Sequence, residues 1–117
     1  MSALESVLTG HGVVTFVNRF SLTAPPAEFE RGFAGTSGFM AEQPGFVGYT
    51  LLRHSERTDS YVNIAVWRDA ESFRNAVTRP EFAPHAAALR SLSTSEPNLY
   101  VIARQGAPVR PGRGPRA

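Results

Sequence analysis

The chain has 117 residues, a length suited to one domain, and its 42% apolar and 19% charged residues give a globular balance with a small core. All 12 basic residues are arginines and the net charge is +2; Arg110, Arg113 and Arg116 crowd the last eight positions, so the charge reads as a solvated tail and not as a nucleic-acid-binding surface. The lack of cysteine excludes disulfides, thiolate catalysis and cysteine-held metal centres, and neither a secretory leader nor an apolar run near the ~18 residues of a membrane span is visible, so a cytoplasmic protein without a membrane partner is expected.

Residues 1–11 show no period and read as a lead. Val13 to Leu22 reads as a strand, with Val14, Phe16, Asn18, Phe20 and Leu22 on one face and Val13, Thr15, Val17 and Arg19 on the other. Thr23-Ala24-Pro25-Pro26 stops it and opens a helix, proline being suited to a first turn. Phe29, Phe33, Ser37 and Met40 then form one stripe. Gly32, Gly35 and Gly38 weaken this helix by up to ~1 kcal/mol each, which fits a loose helix or one whose backbone approaches something closely. Pro44-Gly45 ends it.

Phe46 to His54 and Tyr61 to Trp67 read as a hairpin around the polar turn Ser55 to Ser60. Asp69 suits the N-cap of a helix through about Val77. Pro80 opens a further helical turn carrying Phe82, His85 and Leu89, and Asn98 to Arg104 reads as a fourth strand. The Gly/Pro/Arg-rich stretch 105–117 is expected to be disordered, leaving 12–104 as the domain. The order β-α-β-β-α-β is that of a ferredoxin-like α+β fold with an antiparallel sheet. Helices cover one face of such a sheet. In the third strand neither Val62, Ile64 and Val66 nor Tyr61, Asn63, Ala65 and Trp67 make a water-loving face, so a homodimer packed sheet face to sheet face is expected.

Asn63 and Trp67 are four apart on a strand and point the same way, with Tyr61 beside them. An amide among aromatics on a buried face needs a hydrogen bond, which suits either a small-molecule pocket or a purely structural amide. Asn18, flanked on its face by Phe16 and Phe20, poses the same alternative and would share a cavity with Asn63 if the first and third strands are neighbours. His85 is a candidate base or ligand, but no second histidine or carboxylate completes a metal set, and His11 and His54 look ordinary. No nucleophile elbow, dinucleotide fingerprint or P-loop is present.

The runs Gln43-Pro44-Gly45-Phe46-Val47-Gly48-Tyr49, Tyr61-Val62-Asn63-Ile64-Ala65-Val66-Trp67 and Asp69-Ala70-Glu71-Ser72-Phe73 resemble the antibiotic biosynthesis monooxygenase superfamily, over about Val13 to Arg104. The resemblance implies a dimeric α+β barrel. In its cofactor-independent branch, which oxidises polyketide anthrones to quinones with O₂, the pocket asparagine and tryptophan match Asn63 and Trp67. A tyrosine of that branch falls on Phe73, and a helical arginine falls near Ala87, one turn from Arg90. In the heme-degrading branch a first-strand asparagine matches Asn18 and the axial histidine matches His85, while a second tryptophan would fall at Ala76 and is absent.

The leading expectation is therefore a monooxygenase (oxidoreductase) without a cofactor, acting on an aromatic, polyketide-like substrate in antibiotic biosynthesis. Asn63, Trp67, His85 and Arg90 are its expected catalytic residues, and Asn18, Phe16, Phe33, Tyr61 and Phe73 its expected substrate contacts. Asn63 would hydrogen-bond a developing oxyanion, and His85 or Arg90 would assist proton transfer. The alternatives are a heme-binding or heme-degrading monooxygenase with His85 as axial ligand, and a non-oxidative polyketide cyclase or binding protein of the same fold.

Overall fold

The computed structural model describes residues 12–109. The expected lead and the arginine-bearing positions 110–117 lie outside the described residues, and 105–109 carry neither helix nor strand. Strand β1 (Val14–Leu22) turns Val14 and Phe20 inward, as its alternation dictates. Helix α1 (Pro26–Ala41) has proline in its first turn and buries Phe29, Phe33, Thr36 and Ser37. At Gly32 a Cβ would stand 3.0 Å from Leu92 Cδ1, so the missing side chain allows the close approach to the second helical layer element that carries Leu92.

Strands β2 (Phe46–Arg53) and β3 (Ser60–Trp67) pair antiparallel, and β3 alternates between buried and half-buried along its whole length. Asp69 caps α2 (Ala70–Val77), its Oδ1 accepting the Ser72 backbone N–H at 2.7 Å. A 3₁₀ turn (Pro80–Phe82) leads into α3 (Ala83–Leu92) and then β4 (Ser93–Val101). The sheet order is β2-β3-β1-β4, antiparallel throughout, with all helices on one face. This is the ferredoxin-like α+β fold expected from the element order.

The fourth strand departs from expectation: it runs from Ser93 to Val101, not from Asn98 to Arg104. Pro97 argues against a strand interior, but β4 is an edge paired only with β1, where a missing N–H can face the open side. The core has two clusters. Phe20, Phe29, Phe33, Tyr61 and Leu89 form one; Val14, Ala65, Trp67 and Ala76 form the other, with Phe16, Met40, Phe46 and Phe73 packed on it.

Candidate active site

A cavity opens between the sheet and the helices, lined from both clusters. Asn18 on β1 and Asn63 on β3 are direct register partners on its sheet side. Each Oδ1 is buried and has no hydrogen-bond partner among the described residues. A buried acceptor left unpaired costs roughly 1–3 kcal/mol, so two side by side on one cavity surface are groups held ready for a ligand. The remaining hydroxyls of the helix wall are engaged: Thr36 Oγ1 donates to the Gly32 carbonyl at 3.4 Å and Ser37 Oγ to the Ala34 carbonyl at 3.2 Å.

The walls are aromatic. Trp67, 1% exposed, meets Phe46 and Phe73 edge-on at centroid distances of 5.1 and 5.8 Å, and Phe73 lies 4.9 Å from Phe16. Such packing fixes the indole rigidly against the cavity. Phe73 thus serves as wall without offering a hydroxyl.

Of the expected residues, Asn18, Asn63, Trp67, Phe16, Phe33 and Phe73 converge on the cavity. Tyr61, His85 and Arg90 do not line it. Tyr61 is buried in the neighbouring cluster, and its hydroxyl donates to Glu30 Oε2 at 2.5 Å. Burial, and then the Glu30 carboxylate, push its pKa above the ordinary tyrosine value, so it stays neutral. The His85 ring packs over Gly35 and lies tilted against Phe39 with centroids 5.5 Å apart. Arg90 is exposed on α3.

Periodicity missed Tyr49. Counting by twos from Phe46 puts it on the outer sheet face, yet it lines the cavity. A β-bulge between Phe46 and Gly48 adds one residue and reverses the parity, so Tyr49 pairs with Ala65 and points inward. Gly48 inside a strand was the available signal.

Among the described residues, no group of three His, Cys, Asp or Glu side chains could hold a metal ion. The antibiotic biosynthesis monooxygenase model matches residues 17–88. The chain belongs to that family. Over 95 residues it is 59% identical to deoxynogalonate monooxygenase of Streptomyces nogalater, covering 81% of this chain and 80% of that one. The crystal structure of SnoaB, a cofactor-independent oxygenase from Streptomyces nogalater, superposes with a TM-score of 0.80 at 57% identity, covering 84% of this chain and 99% of the other. A mycobilin-producing heme oxygenase of Mycobacterium tuberculosis is 32% identical over 59 residues, half of this chain and 56% of its own. The chain is thus a monooxygenase of this family.

The residues present do not form a heme site. His85, the one expected axial ligand, is off the cavity and packed against Phe39.

Proposed function

We propose that this monooxygenase oxidises a polycyclic, phenolic polyketide-like substrate with O₂ and no cofactor, on the surface made by Asn18, Asn63 and Trp67. The observation that carries this reading is the pair of unpaired amide oxygens in an otherwise aromatic cavity. The oxygenase relatives support it, since the one with a solved structure is itself described as cofactor-independent.

The chemistry follows from the substrate. An anthrone-type methylene loses a proton to give a delocalised anion, which passes an electron to O₂. Carbon–oxygen bond formation gives a hydroperoxide, and loss of water leaves the carbonyl of a quinone; one oxygen atom enters the product and the other leaves as water. The Asn63 side-chain N–H groups hold the developing oxyanion, and the Asn18 and Asn63 oxygens accept from phenolic hydroxyls. Fixed dipoles in an apolar enclosure are often the largest catalytic contribution. Trp67 and Phe73 hold the ring plane and exclude water.

The catalytic unit is taken as residues 12–104, acting in the cytoplasm as a homodimer through the outer sheet faces. The described helices support a non-membrane setting, none being long and apolar enough to cross a bilayer. O₂ consumption with a hydroxylated anthrone tests the reading. Asn63→Ala is expected to lower kcat about 10²-fold, the usual loss for one oxyanion donor, and Trp67→Phe to lower it less. Turnover unchanged in both variants would show the assignment to be wrong.

A further inference from the structure

We infer that Tyr49 is a substrate-contacting specificity residue, taking the polar end of the ligand that projects from the cavity mouth; the inference rests on the site proposed above. Three observations converge on it. First, Tyr49 is brought to the site by a dedicated irregularity. With Phe46 opposite Trp67, an unbulged strand would set Tyr49 opposite Ile64 on the outer face; the observed register sets it opposite Ala65. Bulges are common beside active sites because they re-aim a side chain. Ala65, small and buried, leaves room for the ring.

Second, Tyr49 stands at the boundary between cavity and solvent. It is 45% exposed and yet lines the cavity, its ring resting on Phe33 at 5.7 Å and Phe46 at 6.4 Å. The enclosed space of about 80 Å³ is smaller than the ~150 Å³ of an apolar cavity that binds benzene. Most of a polycyclic ligand must therefore lie outward, against the mouth. Asn63 is the diagonal neighbour of Tyr49 across the strand pair, so the two side chains leave the same face of the sheet from backbone positions about 7–8 Å apart.

Third, Tyr49 supplies what the rest of the lining lacks. Among the described lining residues it alone has an ionisable group, and its hydroxyl bonds to no other described residue. Phe73, packed against Trp67 in the same wall, offers no hydroxyl. The ligand class that satisfies both ends is an elongated polycyclic phenol, with one oxygen at the amide pair and another at the Tyr49 hydroxyl.

Trp67 is the chain's one tryptophan, so its fluorescence reports occupancy directly. Titration with 1,8-dihydroxyanthraquinone and with anthracene, in wild type and Tyr49→Phe, separates the oxygen contact from ring packing. Loss of one hydrogen bond to an uncompensated ligand oxygen corresponds to roughly tenfold weaker binding of the quinone. Anthracene binding is expected to be unchanged, as is the thermal midpoint. Equal quinone affinity in the two proteins, an equal loss for both ligands, or no quinone binding by wild type overturns the inference. If Tyr49→Phe weakens the quinone selectively while wild type consumes no O₂ with a hydroxylated anthrone, the oxygenase reading fails and the Tyr49 contact stands.

Discussion

The carboxylate of Asp69 illustrates how a single side chain outside the cavity holds one of its walls. It accepts the Ser72 N–H at 2.7 Å and so caps α2, the helix that brings Phe73 and Val77 to the cavity. Hydrogen bonds from Ser72, its hydroxyl and then its backbone N–H, hold the carboxyl below its ordinary value, against the opposing pull of burial; Arg68 adds to the lowering. A depressed folded-state pKa means stability that is present above the unfolded-state value, ~3.9, and lost as pH falls through the folded value. Asp69→Ala is therefore expected to cost about 1 kcal/mol near neutral pH, with the difference from wild type shrinking at strongly acid pH. Urea denaturation of both proteins at pH 7 and below pH 3 measures it, and a difference that persists undiminished in acid contradicts the capping account. Asp69 was legible in the sequence because capping is local. Asn18, Asn63 and Trp67 were legible because an amide on an apolar strand face is conspicuous and a strand has only two directions. His85 and Arg90 were not, because position on a short helix after a 3₁₀ turn does not say which way a side chain points. The apolar partner of His85, Phe39, lies on a different helix, α1.

At the scale of elements, the turn before β2 and the bulge within it together set what the strand presents. Gly45 has φ of +88°, and a Cβ there would collide with Ser72 Cβ and Oγ. Its carbonyl accepts the Arg68 N–H at 2.7 Å, which ties the start of β2 to the end of β3. The bulge follows at once, and the strand resumes with Tyr49, Leu51 and Arg53 inward. Gly45→Ala meets two penalties, a left-handed backbone and an occupied space, each worth roughly 1–3 kcal/mol. A loss of about 3 kcal/mol in thermal or urea unfolding is expected, with weaker quinone binding because Phe46 and Tyr49 shift together; a variant as stable as wild type contradicts this. The sequence showed Pro44-Gly45 as the end of a helix and Phe46 to His54 as a strand. It did not show the parity change, since one inserted residue leaves the composition of a strand almost untouched. The start of β4 was hidden for a similar reason: Thr94, Glu96 and Pro97 carry no apolar alternation, and their place in the sheet comes from register with β1.

At the scale of the whole molecule, the described residues leave one sheet face without a helical layer. Ile64 sits at its centre, opposite Val17 on one side and Thr50 on the other, with Val62 and Val66 along the same strand. Leu52 and Tyr100 extend the apolar area and are 46% and 51% exposed, while Arg19 and Glu96, 4.0 Å apart, mark a polar edge. An apolar centre with a charged rim is the usual anatomy of an interface, and a two-fold pairing of identical patches closes without leaving a further surface open. The two-sided third strand was the sequence feature that pointed here, and the fold assigns its faces: Tyr61, Asn63, Ala65 and Trp67 inward, Val62, Ile64 and Val66 outward. Ile64→Arg would place two guanidinium groups near one another across a two-fold axis, without a counter-charge. Sedimentation equilibrium at micromolar concentration is expected to give the mass of two chains for wild type and of one for the variant. Quenching of Trp67 fluorescence by the hydroxyanthraquinone in the variant then reports whether the pairing also shapes the cavity. A dimeric Ile64→Arg, or a monomeric wild type, removes the sheet-face pairing. A monomeric variant that has lost quinone binding would mean that the pairing also holds the cavity in shape.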